Sequence, residues 1–482
     1  MTLKDLQPQE VFSIFHEITR VPRPSKKEEQ IGRWLIDFAK SHNLEYEQDA
    51  IGNIVMRVPA TIGYEHHDGV ILQAHMDMVC EKNNDIEHDF LRDPIDTYID
   101  GDFVKARGTT LGGDDGIGMA MALAALTSKE MKHPALEALF TIDEETGLTG
   151  AFNLRDGMLH GKRLINIDSE DDGQVFIGCA GGIDTLAKIP FDLLPLPQGK
   201  WFAAKVVVKG LIGGHSGDDI EKGRGNANKI LNRFLFALSQ ETDIQLSHID
   251  GGNLRNAIAR EAQATFIVPF DFKEEMRILF NRFVAEVEGE LGDIEKTMEL
   301  LLESEQLPQH VLSAEVTLRL IRALYACPHG VIAMSKDMPG LVETSTNLAS
   351  VKMRDNYIEI NTSQRSSVES SKHDVKNMVE CCLALAGAEI THGDGYPGRK
   401  PNVNSHLLEV SREAYRELNN QEPAVKAIHA GLECGLFLEK YPYLDMISIG
   451  PEMSGVHSPS EQLSISSTAS TWSWLQKILE KL

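Results

Sequence analysis

The sequence predicts an α/β fold in which a mixed sheet carries helices on both faces and a separate α+β domain is inserted between its two halves. Three observations predict it. Short apolar runs of strand type alternate with helical patterns at both ends of the chain. Between about 183 and 396 that alternation gives way to strands and helices in irregular order. At 482 residues the chain also exceeds what one hydrophobic core commonly organises. The expected division is a discontinuous domain over 1–182 and 397–482, with an inserted domain over 183–396.

An amphipathic helix over Gln9–Arg20 leads into the turn Pro22–Ser25. A second helix follows from about Lys27 to His42, with Ser25 as its N-cap. Strands are expected at Asn53–Arg57 and Val70–Ala74, an Ala/Met/Leu-rich helix at Gly118–Leu126, and further strands at Leu136–Ile142 and Leu164–Ile167. Past the glycine-rich Ile177–Gly182, Trp201–Lys209 alternates as a half-exposed strand. Ala227–Leu238 is an apolar-striped helix and Ala262–Val268 a strand. Lys273–Glu305 reads as one long charged helix, and Ala314–Tyr325 continues in the same period. Thr346–Met353 and Tyr357–Thr362 flank Arg354–Asn356 as a hairpin, before a helix at Lys372–Ala386. The turn-rich Thr391–Gly398 marks the return to the first pattern: helices His406–Leu418 and Leu432–Leu438, strand Asp445–Ile449, and a closing helix from Ser466.

Composition narrows the function. A net charge of −25, from 47 basic and 72 acidic side chains, argues against nucleic acid or an anionic membrane surface as a partner. No apolar run approaches the roughly 18 residues of a membrane-spanning helix, and the first 20 residues lack the basic start and apolar core of a signal peptide. The six cysteines show no Cys-x-x-Cys spacing, which fits a reduced, cytoplasmic protein.

The chemistry sits where the strand-like runs end. Val70–Ala74 runs into His75-Met-Asp77; Leu136–Ile142 into Asp143-Glu144-Glu145; Leu164–Ile167 into Asp168-Ser-Glu170; and Asp445–Ile449 into a loop that reaches His457. Residues i and i+2 of a strand share a face, so His75 and Asp77 would stand together, one as a metal ligand and the other fixing its ring. In open α/β sheets, ligands bind beyond the carboxyl ends of the strands. Between these runs lies Gly112-Gly-Asp114-Asp115-Gly116, just ahead of a helix. Two imidazoles with several carboxylates and no thiolate suit zinc, cobalt or manganese. The set is too large for one ion that keeps an open position, whereas two ions sharing one carboxylate use it fully. Ions about 3.5–4 Å apart can activate a water between them and polarise a carbonyl. Of the neighbours Glu144 and Glu145, one can bind metal while the other serves as general base.

These segments resemble the bacterial cytosolic non-specific dipeptidases, also called aminoacyl-histidine dipeptidases, in the aminoacylase/carboxypeptidase clan of dinuclear zinc peptidases. The resemblance runs nearly end to end through Leu72–Met78, Lys105–Gly112, Cys179–Asp184, Gly213–Gly217, Leu254–Ile258, His429–Phe437 and Val456–Pro459. It implies a catalytic domain with an inserted lid that carries dimer contacts, a homodimer, and two divalent metal ions, zinc foremost with cobalt or manganese as alternatives. It implies that His75 and Asp168 hold one ion, Glu145 and His457 the other, and that Asp114 bridges. Asp77 would orient His75 and Glu144 would be the base. His215 would donate to the oxyanion, and Asn256 and Arg365 would bind the dipeptide's terminal carboxylate or carbonyl. The chain reads Asp114-Asp115 where close relatives have Asp-Asn, so Asp115 stays a second candidate for the bridge.

Other readings of the same residues differ in what they require. Asp114 also suits the N-cap of the helix that follows. The glycine turn lacks the Lys-Ser/Thr of a P-loop and the third glycine of a dinucleotide fingerprint. An N-acyl amino acid deacylase or an aminopeptidase would share the metal residues and differ in the inserted domain. A non-catalytic binding protein on the same fold would have lost Glu144 or Asp114, and both are present.

Overall fold

The computed structural model describes residues 2–429, 431 and 433–482. Ala430 and Leu432, within the His429–Phe437 segment and at the expected start of its helix, lie outside the described residues. The chain divides into two compact units: Met1–Cys179 with Arg399–Ala427 and Leu432–Leu482, and Ala180–Gly398 with Ile428–Gly431. The short segment 428–431 thus goes with the second unit. There Ala180 N donates to the Ile428 carbonyl, and the Ser345 hydroxyl lies 2.7 Å from His429 Nε2.

In the first unit an eight-stranded mixed sheet runs in the order Glu45–Gln48, Ile54–Val58, Leu136–Thr141, Val70–His75, Arg163–Asn166, Asp445–Ser448, Gln174–Cys179, Ala424–Ile428. Its four central strands, from Leu136–Thr141 to Asp445–Ser448, are mutually parallel. Every residue of Val70–His75 and Leu136–Thr141 is buried, so both faces of the sheet are covered, as parallel strands require. The helix Gly113–Thr127, apolar nearly all round, packs against Val70–His75. In register, His75 stands beside Thr141, and Gln73 beside Asn166. The chain therefore leaves the four strands from one end of the sheet, which is where the candidate ligands begin. A second, four-stranded sheet, Met453–Ser454, Gln462–Ser464, Phe103–Ala106, Thr97–Asp100, anchors the two arms of the loop that carries His457.

The second unit holds a nine-stranded, wholly antiparallel sheet. Val342–Met353 and Tyr357–Ser366 form its central hairpin. Helices Ala227–Glu241, Lys273–Leu291 and Ala314–Ala326 supply the apolar cover, with Phe234, Phe266, Phe280 and Phe283 meeting edge-on or tilted at its centre.

Two local expectations change. Lys273–Glu305 is not one helix: the helix stops at Leu291, and Glu299–Glu305 is an edge strand paired with Trp201–Lys209. Gly292 ends the helix, and the acidic residues that mimicked a solvated helix face guard an exposed sheet edge instead. Ser25 caps nothing. Its hydroxyl donates to Asp77 Oδ2 at 2.8 Å, and the helix Glu29–Ser41 starts after Glu28. The glycine-rich 177–182 lies in strands Gln174–Cys179 and Gly181–Pro190, where a Cβ on Gly181 would fall 2.4 Å from the Gly398 nitrogen. Among the described residues no helix is long and apolar enough to cross a membrane.

Candidate metal centre

All seven residues expected to hold or serve a metal lie in the first unit, and five of them form two groups that share Asp114. Asp114 Oδ1 lies 2.9 Å from His75 Nε2, and Asp114 Oδ2 lies 3.1 Å from His457 Nε2. His75 Nε2 is 3.4 Å from Asp168 Oδ1, and His457 Nε2 is 3.0 Å from Glu145 Oε2. Two groups of potential ligands result, His75/Asp114/Asp168 and Asp114/Glu145/His457, each with its ligand atoms within 4.8 Å of one another. On the far side of the ring, His75 Nδ1 is 3.3 Å from Asp77 Oδ1. Asp77 accepts from the backbone amides of Glu144 at 3.0 Å and Glu145 at 3.3 Å. One buried carboxylate thus steadies the His75 ring and the Glu144–Glu145 turn together.

The structure separates the ambiguous neighbours. Asp115, fully buried, accepts from Gly118 N at 3.1 Å and His75 N at 3.3 Å, so it caps the helix start and props the strand. Asp114, with non-helical backbone after the left-handed Gly112, turns to the imidazoles; the Asp114–Asp115 peptide is cis. Asp143 is structural, since both of its oxygens take threonine hydroxyls, from Thr146 and Thr149. The Glu144 side chain makes no hydrogen bond or ion pair among the described residues, while its carboxyl feels the charges of His75, Asp168 and Glu145.

Burial pushes the Glu144 carboxyl well above the ordinary glutamate value, helped by Asp168, Glu433 and Glu145 and opposed by His75. Burial likewise raises Asp168 and Glu145. Burial would raise Asp114 too, but hydrogen bonds with His457 and His75 hold it below the usual range. Hydrogen bonds to Asp114 and Glu145 lift His457 to about 11. The common cause is a buried excess of carboxylate over cation, and such a set requires added positive charge.

Divalent ions fit that requirement. Zinc–ligand bonds of about 2.0–2.2 Å place tetrahedral ligand atoms roughly 3.3–3.6 Å apart, near the 2.9–3.4 Å separations found here. Glu145 Oε1 is buried with no hydrogen-bond partner, an oxygen free for a cation. The donors are nitrogen and oxygen only.

The remaining candidates lie in the second unit. His215 Nδ1 is 3.0 Å from Asp218 Oδ2, and the Ser216 amide donates to the Asn256 carbonyl, which fixes the two loops side by side; the Asn256 side chain is exposed. Arg365 is buried on the strand Tyr357–Ser366, where Nη1 donates to the Tyr396 hydroxyl at 3.0 Å and Nε has no partner. His429 packs nearby on Ser345, its imidazole held down at about 4 by burial and the Arg365 charge.

Over residues 71–481 the sequence matches Peptidase family M20/M25/M40. The chain belongs to that family. It is 45% identical over 480 residues to the cytosol non-specific dipeptidase of Escherichia coli K12, covering 100% of this chain and 99% of the relative. The crystal structure of the aminoacylhistidine dipeptidase from Vibrio alginolyticus superposes with a TM-score of 0.95 at 42% identity, covering 100% of this chain and 98% of that one. The aminopeptidase PepT structure from Bacillus cereus shares the fold at a TM-score of 0.61 and 16% identity, covering 99% of each chain.

Beneath the candidate ligands of this peptidase lies a polar layer absent from the sequence-based site. Gln73 and Asn166, each two residues before a candidate ligand, bond to one another, Asn166 Nδ2 donating to Gln73 Oε1 at 2.6 Å. Gln73 and Thr141 donate to Glu433 Oε2 at 2.6 and 2.8 Å. Glu433 is buried, not an exposed helix residue. Gln73 is signalled by its place inside an apolar run, whereas Glu433, 360 residues away, carries no such signal.

Proposed function

We propose that the chain is a metal-dependent dipeptidase of broad specificity, aminoacyl-histidine dipeptides included, with two zinc ions held by His75, Asp114 and Asp168 and by Asp114, Glu145 and His457. The single observation that carries this reading is Asp114, whose two oxygens each face a different imidazole. Cobalt and manganese suit the same donors. Bound ions supply Lewis acidity that activates a water and polarises the scissile carbonyl. Glu144 takes the proton of the attacking water on its carboxylate and delivers it to the leaving amine, completing the addition and collapse without a net proton change on the protein. The absence of a hydrogen bond to its side chain among the described residues supports that role. Asp77 orients the His75 ring through Nδ1 and holds the Glu144 amide, so ligand and base are aimed by one side chain.

For substrate recognition, His215 donates to the oxyanion and Asn256 and Arg365 take the dipeptide's terminal carboxylate or carbonyl, as the family resemblance implies. The buried, unpartnered Arg365 Nε supports this, because a guanidinium is shaped for a planar carboxylate. On the same basis the second unit is the lid, the active form is a homodimer, and the protein works in the cytoplasm. The relatives named for dipeptides over full length support the substrate class. The test is a panel of dipeptides, alanyl-histidine among them, against tripeptides and N-acetylated amino acids. Preferential cleavage of dipeptides is expected; preference for tripeptides or N-acetyl substrates overturns the assignment.

A further inference from the structure

The turn that presents Asp114 is gripped by two buried charged side chains. Arg23, 2% exposed, donates through Nη1 to the carbonyls of Met76 at 3.3 Å and Asp77 at 2.5 Å, and through Nη2 to the Gly112 carbonyl. Glu461, 3% exposed, accepts from the opposite side of the turn: Leu111 N and Gly112 N at 2.7 and 3.1 Å on Oε2, Gly113 N and Asp114 N at 2.7 and 3.5 Å on Oε1. The glycines make both approaches possible. A Cβ on Gly112 would stand 2.6 Å from Arg23 Nη2, one on Gly116 2.7 Å from the same atom, and one on Gly113 3.2 Å from Glu461 Oε1.

Each grip reaches back to one of the histidines that Asp114 faces. Arg23 fastens the turn to Met76–Asp77, immediately after His75. Glu461 fastens it to the loop of His457, four positions upstream, whose chain is closed by the Glu461 amide on the Ser458 carbonyl. Burying a guanidinium and a carboxylate is costly, and both are spent here on main-chain groups.

We infer that Arg23 and Glu461 are positioning residues, a two-sided clamp that holds the Leu111–Asp114 turn in register with both histidine segments and so fixes the aim of the shared carboxylate. The inference rests on the reading of Asp114 as the shared ligand. Replacing the support of a metal ligand costs typically about 10–100-fold in affinity. A clamp on a shared ligand spreads that cost over both ions, whereas loss of a ligand to one ion does not.

The test is stepwise cobalt binding to the full chain, followed by chelator competition and the visible cobalt spectrum, with thermal unfolding of each metal-free variant as control. Glu461→Gln, which turns acceptors toward amide donors, and Arg23→Lys, which removes the fork, are expected to weaken both binding steps by about 10–100-fold and to alter the spectrum. Glu461→Asp, which keeps the carboxylate, is expected to recover part of the affinity. If Glu461→Gln does not fold, Glu461→Asp and Gly113→Ala carry the test, each with a smaller loss at both steps. Wild-type affinity at both steps, or weakening confined to one, overturns the clamp. Asp114→Asn separates the two readings: if it binds two ions normally, the shared-ligand reading falls, and if it loses them while the clamp variants do not, the clamp alone falls.

Discussion

The two large sheets of this molecule use charge in opposite ways. In the first unit the four central strands are parallel, so all four release the chain at the same end, and His75, Glu145, Asp168 and His457 follow there. In the second unit every strand is antiparallel to its neighbours, so strand exits alternate and the interior is left to Phe234, Phe266, Phe280 and the aliphatic side chains around them. Strand direction, more than composition, decides whether polar residues converge. The first unit accepts a buried charge imbalance at one edge; the second spends its interior on packing.

The strongest way to break this contrast is chelation. Removing the ions should abolish peptidase activity and restore it with zinc or cobalt, and hydrogen exchange should quicken at the four parallel strand ends while the antiparallel sheet stays protected. Uniform quickening across both sheets would dissolve the distinction. Next in size, Glu144→Gln should lower kcat by about 10²–10⁴-fold with both ions retained, read by steady-state kinetics and metal analysis. Full activity would remove Glu144 as the base. Asp77→Asn should cost about 10–100-fold in activity or metal affinity while leaving some metal bound, because the ring loses its partner and not its place.

The second unit answers to a different variable. Burial holds His329 and His429 at about 4, below the ordinary histidine value of 6.5, and the Leu348 amide donates to His329 Nδ1. A histidine whose pKa falls on folding binds its proton more readily in the unfolded chain, so stability drops as pH falls from 6.5 towards 4. Urea unfolding should show that loss, and His329→Gln should flatten it; an unchanged slope would clear His329 of the role. The smallest effect is expected at the acidic sheet edge, where Glu305→Gln should change stability by less than about 0.5 kcal/mol.

The candidate ligands His75, Glu145 and Asp168 were legible because each stands at or just after the end of an apolar run, a pattern that survives without knowing which strands pair. Asp114 and Asp115 lie in one glycine turn; the resemblance favours Asp114 by its distance from His75, and the backbone turns Asp114 toward the imidazoles while Asp115 accepts from Gly118 N. Ser25 shows the reverse error: a good helix-start residue drawn away by a carboxylate 52 positions later in the chain. The edge strand Glu299–Glu305 was hidden because an exposed strand and a solvated helix are both charged, and its pairing with Trp201–Lys209 is a long-range fact. Arg23 and Glu461 act on main-chain atoms, and such partners leave no pattern in side-chain spacing.

The parallel strand Asp445–Ser448 lies beside Arg163–Asn166, and His457 follows it, so the centre joins segments nearly 300 residues apart in the chain. A ribosome emits His75, Asp114, Glu145 and Asp168 early and His457 very late. The whole antiparallel unit emerges in between and can fold as a unit of its own before His457 is made. A nascent chain therefore carries the residues proposed for one ion long before it can complete those proposed for the other.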